Sequence, residues 1–164
     1  MSNRNNTTPH VTVIVPAFNE SAAIAHTVSN IGHHLKALSS KWDIVVIDDG
    51  SRDNTAEVVR NLDQQLQTTL VRFSRNFGKE YAITAGLEHA EGDVVICMDA
   101  DSAELLSEML AKWREGYDMV YAVRQDRKVE SAFKRWGSRV FYRAMNLGGQ
   151  IDIPKDAGDF RLMD

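Results

Sequence analysis

Val94-Val95-Ile96-Cys97-Met98-Asp99-Ala100-Asp101 is an apolar run closed by two carboxylates one residue apart. A short uninterrupted apolar run reads as a strand buried on both faces, as in a parallel sheet, where ligands bind beyond the carboxyl ends of the strands. Strand side chains alternate faces, so Asp99 and Asp101 point the same way and converge on one spot. Such a spot suits a hard cation, Mg²⁺ or Mn²⁺. The same pair also reads as the opening of a loop or a cap on the next helix, and on this stretch alone both readings stand.

On both sides of that run, short β-branched segments alternate with longer stretches of helical period, which predicts an α/β sheet with crossover helices. Strands are expected at 11–15, 42–47, 70–73, 94–98 and 119–123. Helices are expected from Asn19-Glu20-Ser21 onward with Ile24, Val28, Ile31, Leu35 and Leu38 as one stripe, then through Val58, Val59, Leu62 and Leu66, over 79–89 and over 104–115. A last helix over 129–147 aligns Val129, Phe133, Trp136, Val140, Ala144 and Leu147, with Lys134, Arg135, Arg139 and Arg143 on the other faces. That pattern fits an interfacial membrane helix and equally an amphipathic helix packed on the sheet.

The 164 residues suffice for one domain, expected over 9–164 after a disordered polar leader at 1–8. Cys97 is the single cysteine, which excludes a disulfide framework and a cysteine zinc site. No apolar run is long enough to span a bilayer and the leader lacks a signal-peptide core, so the chain as given reads as soluble. The formal charge of −4 hides an asymmetry, because residues 124–143 hold seven Lys/Arg against Asp126 and Glu130, a local +5 that leaves −9 elsewhere. A basic block in an acidic protein suggests an anionic partner for one face, phosphate or a membrane surface; it also fits a plain solvated face. No nucleic-acid partner is expected.

A parallel sheet would gather three polar clusters at one edge: Pro16-Ala17-Phe18-Asn19-Glu20, Asp48-Asp49-Gly50-Ser51 and Asp99-Ala100-Asp101. Neither Gly-x-Gly-x-x-Gly nor Gly-x-x-x-x-Gly-Lys-Ser/Thr occurs, so no glycine loop supplies phosphate binding and a cation must. A metal held by Asp99 and Asp101 and by substrate phosphates would stabilise a diphosphate leaving group.

These residues resemble glycosyltransferase family 2 enzymes of the GT-A fold, most closely the branch that transfers a sugar to a polyprenyl phosphate, with bactoprenol glucosyltransferases nearest and dolichyl-phosphate mannose synthases sharing the plan. The resemblance covers nearly the whole chain. It is carried by Val13-Ile14-Val15-Pro16-Ala17-Phe18-Asn19-Glu20, Ile47-Asp48-Asp49-Gly50-Ser51, Ser74-Arg75-Asn76-Phe77-Gly78-Lys79, Met98-Asp99-Ala100-Asp101, Val123-Arg124-Gln125-Asp126-Arg127 and Asp156-Ala157-Gly158-Asp159-Phe160-Arg161-Leu162. It implies a mostly parallel sheet flanked by helices. Pro16, Phe18, Glu20, Ile47, Asp48, Asp49, Arg75 and Lys79 would hold the nucleotide sugar, and Asp99, Ala100 and Asp101 its diphosphate and metal. Turn and helix-cap duty is the plain alternative for Asp48 and Asp49, and surface charge the alternative for Arg75 and Lys79. Arg124 and Arg161 suit phosphate, since a guanidinium offers a bidentate fork.

Family members usually invert at the anomeric carbon in one displacement with a carboxylate base, a place that Asp156 or Asp159 would fill. A phosphate acceptor has a second pKa of about 6 and is already mostly a dianion near neutral pH. Asp159 is therefore expected to orient acceptor or metal, while Arg124, Arg127 or Arg161 offsets the charge of two phosphates meeting.

Two departures stand out. The aspartate pair of this branch is commonly followed by Leu-Gln and a Pro-Pro-Glu turn, whereas here the shorter Ser102-Ala103-Glu104-Leu105 follows. The chain also stops at Asp164, where the resembling membrane enzymes continue into interfacial and transmembrane helices, so it reads as a catalytic domain truncated before them. The expected activity is transfer of glucose from UDP-glucose to undecaprenyl phosphate at the cytoplasmic membrane face. The alternatives are GDP-mannose or another UDP-sugar as donor, a dolichyl-type or polysaccharide acceptor, and a non-catalytic nucleotide-sugar binding domain. The basic 129–147 helix would meet the membrane surface or, in a homo-oligomer, a partner subunit.

Overall fold

Four β-branched runs dictate the centre of the molecule. In the computed structural model, which describes residues 8–62, 66–98, 103–123 and 157–164, they become β1 (His10–Ala17), β2 (Lys41–Asp48), β3 (Thr68–Arg72) and β4 (Val94–Cys97). β5 (Met119–Val123) and β6 (Ala157–Met163) complete one sheet of order β3-β2-β1-β4-β6-β5. β1 runs parallel to both β2 and β4, and β2 parallel to β3; β6 pairs antiparallel with β4. Among the described residues four helices connect them: α1 (Ile24–Leu38), α2 (Thr55–Arg60), α3 (Lys79–His89) and α4 (Leu106–Arg114). The chain divides into two compact units, residues 1–121 with 159–164, and residues 122–158. The second lies almost wholly outside the described residues.

The path from β1 to β2 to β3 moves one way along the sheet, and the crossover through α3 carries the chain back past β1 to β4. Right-handed crossovers in opposite directions put their helices on opposite faces and open a crevice at the strand where the order reverses. The side chains follow: Ile14, Val45, Ile47 and Cys97 meet Ala82 and Ile83 of α3 in one cluster. Val13, Val15, Ile44, Val46 and Ile96 alternate to the other face and are at most 1% exposed. Each such aliphatic side chain removed from water contributes roughly 1.5 to 3 kcal/mol before entropy is subtracted.

The strands and helices expected within the described residues recur, most with shifted ends, and three differences are physical. α2 ends at Arg60; Leu66 is not on its stripe but packs over α1, where a Cβ on Gly32 would come within 2.8 Å of Leu66 Cδ2. The helix expected at 104–115 begins as a 3₁₀ turn, Ala103–Leu105, before α4. β6 occupies a stretch read from sequence only as a polar site segment; its Leu162 is fully buried opposite Ile96. The helix expected over 129–147 lies outside the described residues. Among the described residues, no helix is long and apolar enough to cross a membrane.

Candidate active site

β1 and β2 end level, Ala17 opposite Asp48, and the Asp49 N–H still donates to Ala17 O at 2.9 Å. β4 leaves the ladder earlier, opposite Ile14, with one last bond from Met98 N–H to Ile14 O at 3.1 Å. Three parallel strands thus deliver the 16–20, 48–51 and 98 segments to the same carboxyl edge. Asp99, Ala100 and Asp101 follow Met98 in sequence and lie outside the described residues, as do Arg124 and Asp156.

The loops after β1 and β2 are sewn together. Asn19, at φ 56°, donates its N–H to Ser51 Oγ at 2.9 Å, and its own Oδ1 accepts from Arg52 N–H at 2.9 Å. Glu20 N–H donates to Thr55 Oγ1 at 2.8 Å and Ser21 N–H to Asp53 Oδ2 at 3.1 Å. Asp53 also closes the turn that leads into α2 by accepting from Thr55 N–H at 3.0 Å. Hydrogen bonds, first from the Thr55 hydroxyl and then from Ser21, outweigh desolvation and hold the Asp53 carboxyl well below the usual carboxylate range. Asn and Asp dominate such turns because their short side chains mimic backbone acceptors and tolerate left-handed φ.

Asp48 and Asp49 point to different tasks. The Asp48 side chain is fully buried: Oδ1 accepts from Ser51 N–H at 2.9 Å, closing the turn. Its Oδ2 lies 3.1 Å from Arg72 Nε, a charge contact without hydrogen-bond alignment. Asp49 is also buried, but its oxygens reach the loop before α3. Oδ1 accepts from Phe77 N–H at 2.7 Å and Oδ2 from Gly78 N–H at 2.9 Å. Gly50, at φ 68°, makes this approach possible, since a Cβ there would stand 2.2 Å from the Arg75 carbonyl carbon.

Pro16, Ala17, Phe18, Asp49, Asn76, Gly78, Lys79 and Ala82 enclose a cavity of about 280 Å³ at this edge. Of the residues expected at a nucleotide site, the structure brings Pro16, Phe18, Asp49 and Lys79 together there. Ile47 is fully buried in the core beneath α3, and Glu20 is exposed on the sewn loop. Arg75 is exposed, its guanidinium 4.9 Å from the centre of the Phe77 ring. Phe18 is 41% exposed, which leaves an aromatic face available for stacking. Asn76, Gly78, Ala17 and Ala82 line the cavity without having been singled out; the Ser74-Arg75-Asn76-Phe77-Gly78-Lys79 motif held the signal for two of them. A larger groove of about 600 Å³ lies elsewhere, near the amino ends of β2 and β3, lined by Asp43, Arg60, Gln67 and Thr68 among others. Neither the 16–20 nor the 48–51 cluster lines it.

Arg161 of β6 pairs directly across from Cys97, and its Nε is buried without a hydrogen-bond partner. Burial pushes the Cys97 thiol up to about 11, against the opposing pull of the Arg161 and Lys79 charges. Two cations therefore bear on the end of β4. The Asp159 backbone belongs to β6. Among the described residues, no three His, Cys, Asp or Glu side chains group to hold a metal.

The sequence model of Glycosyl transferase family 2 matches residues 12–164. An uncharacterized glycosyltransferase, YkcC of Bacillus subtilis strain 168, is 40% identical over 158 residues, 93% of this chain and 48% of that protein. The bactoprenol glucosyl transferase of Shigella phage SfV is 37% identical over 157 residues, 93% of this chain and 51% of that protein. The chain thus spans about half the length of the curated relatives it matches. Among solved structures, the mannosyltransferase PcManGT from Pyrobaculum calidifontis, in complex with GDP-Man and Mn²⁺, superposes with a TM-score of 0.64 at 29% identity, over 88% of this chain and 40% of that one. Glucosyl-3-phosphoglycerate synthase from Mycobacterium tuberculosis, in complex with UDP, shares the fold at a TM-score of 0.67 and 17% identity, over 98% of this chain and 58% of that one.

Proposed function

Because the chain belongs to glycosyl transferase family 2, with its GT-A fold, we propose that it is the donor-binding and catalytic part of an inverting sugar transferase acting on a nucleoside diphosphate sugar. The observation that carries this reading is the cavity at the carboxyl edge of the sheet, bounded by Pro16, Phe18, Asp49 and Lys79. An aromatic face and a buried carboxylate suit a nucleoside, and the cations Lys79 and Arg161 suit its phosphates. Asp99 and Asp101 follow β4 directly and would hold Mg²⁺ or Mn²⁺; that ion would offset charge on the diphosphate leaving group.

The acceptor is a polyprenyl phosphate and the preferred donor UDP-glucose, a reading supported by the similarity to bactoprenol glucosyl transferases. Catalysis at the cytoplasmic face of a membrane goes with such an acceptor. Asp159 or Asp156 orients the acceptor, whose dianionic phosphate attacks without prior loss of a proton. Arg161, with Arg124, offsets the repulsion between the two phosphates. A GDP-mannose donor is the second reading, supported by the resemblance to the GDP-Man complex.

A thermal-shift panel tests the donor. UDP with Mn²⁺ raises Tm, since a ligand at 100 times its Kd stabilises the folded state by about 2.7 kcal/mol. A larger shift with GDP gives the mannose reading, and no shift with either sinks the donor assignment. Formation of labelled polyprenyl-phosphate glucose by a full-length version tests the acceptor, and a soluble glycan product would overturn it.

A further inference from the structure

The groove of about 600 Å³ near the amino ends of β2 and β3 shares no described residue with the candidate active site. Its volume falls within the range of small-molecule sites, roughly 300 to 1,000 Å³. Arg60 reaches it from the last turn of α2, Asp43 from β2, and Thr68 and Thr69 from β3. The Arg60 guanidinium makes no ion pair or hydrogen bond with a described residue. The Asp43 carboxylate is fixed through one oxygen only: Oδ1 accepts from the Thr12 hydroxyl at 2.8 Å and lies 2.6 Å from His10 Nε2. Its Oδ2 accepts from none of the described residues, so the group is oriented and still has an oxygen to offer.

The groove also contains a residue held against its conformational preference. Gln67 stands at φ 44°, in the left-handed region that suits glycine. Asn19, the other non-glycine at positive φ among the described residues, secures its turn by accepting Arg52 N–H at Oδ1. The Gln67 side chain is exposed and makes no hydrogen bond with a described residue. Its backbone oxygen takes the Ile44 N–H at 3.1 Å, a bond open to any residue. The fold thus uses the backbone at 67 and not the amide side chain, and strain without a structural return points to function.

We infer that this groove binds a sugar phosphate, a hydroxyl-rich ring bearing one anionic group, at a site separate from the donor cavity. Arg60 takes the phosphate with its planar fork. Asp43 accepts from ring hydroxyls, and Gln67 and Thr69 both donate and accept, as a polyol requires. Thr68, whose hydroxyl already donates to Leu66 O at 3.2 Å, accepts. Val59, Leu62 and Leu70 supply an apolar strip for the C–H face of the ring. Other ligands fit worse. The described lining residues hold one carboxylate, too few for a cation, and no aromatic ring to stack a base. An aliphatic anion would leave the amide and the hydroxyls unmatched.

The test is a titration of the isotope-labelled chain with glucose 6-phosphate, followed by amide chemical shifts in nuclear magnetic resonance. Saturable shifts are expected at Arg60, Gln67, Thr68 and Thr69, and they persist with UDP and Mg²⁺ in excess. Shifts confined to Phe18, Asn76 and Lys79, or abolished by UDP, put the probe in the donor cavity and overturn the inference; so does the absence of saturable shifts. Glucose and inorganic phosphate test the two halves of the ligand, and each alone should bind at least about tenfold more weakly than glucose 6-phosphate. Inorganic phosphate binding as tightly would make the groove a bare anion contact and overturn the inference. Arg60→Gln, at an exposed position, should weaken glucose 6-phosphate at least about tenfold without moving the urea midpoint. Gln67→Gly separates binding from folding: the urea midpoint stays or rises as the strain is relieved, while affinity falls at least about threefold. Unchanged affinity in either variant overturns the assignment. These outcomes are independent of whether UDP or GDP occupies the donor cavity.

Discussion

At Gly50 a single hydrogen in place of a methyl decides whether two loops can touch. Its φ of 68° and the 2.2 Å gap that a Cβ would leave to Arg75 act together, since both backbones would have to move. Left-handed backbone costs an L residue about 1 to 2 kcal/mol before any clash. Gly50→Ala is therefore expected to lose at least about 2 kcal/mol in urea unfolding and to weaken nucleotide binding, because the cavity wall is the element displaced. Cys97 gives a prediction of another kind. Its thiol titrates near 11 in the folded chain because it is buried, above the ~8.5 of a free cysteine. A folded pKa raised in this way leaves its contribution intact below about pH 8.5 and removes it as pH climbs toward 11. Stability should fall over that interval by on the order of 3 kcal/mol, a slope that Cys97→Ala abolishes, and the thiol should resist a disulfide reagent at pH 8 until the chain is unfolded.

Helix α3 sits so close to β1 that a Cβ on Gly86 would come 2.3 Å from Ile14 Cγ2. Overpacking of this kind costs about 1 to 3 kcal/mol, against up to about 1 regained when glycine leaves a helix interior. Gly86→Ala should be destabilising by guanidinium melts, and less so in an Ile14→Leu background, which takes the Cγ2 methyl off Cβ; equal costs in both would mean that the contact is not the cause. Elements whose own side chains decide them were legible: the apolar runs of β1, β2 and β4, and the 79–89 helix with its bounds. β6 was not, because Gly158, Asp159 and Arg161 read as loop, and only pairing with β4 makes Ala157–Met163 a strand. Leu62 and Leu66 kept helical spacing past the end of α2 because Leu66 packs on α1 instead. Likewise the three clusters at the carboxyl edge followed from strand direction, whereas the division of labour between Asp48 and Asp49 depends on which face of the turn each leaves, and no spacing encodes that.

Across the molecule, the acidic bulk and the basic 124–143 block put opposite charges in one chain. Positive potential attracts anionic ligands. On the proposed function, the metal bridges such a ligand to the aspartates: EDTA, Asp99→Ala or Asp101→Ala should each reduce the stabilisation by UDP and Mn²⁺ to the metal-free level. An undiminished shift in both variants would remove the metal assignment. The sheet order has a temporal corollary. During synthesis β1 to β4 can pair as they emerge, yet the open flank of β4 waits for residues 161–163, made some 60 residues later. Contacts of such sequence separation form late, because the intervening loop must close first. Until then the nascent chain exposes an unpaired apolar strand edge next to the candidate site, a state prone to association with other chains. Ribosome-bound chains stalled short of Arg161 should therefore recruit holdase chaperones that chains released past Asp164 no longer need.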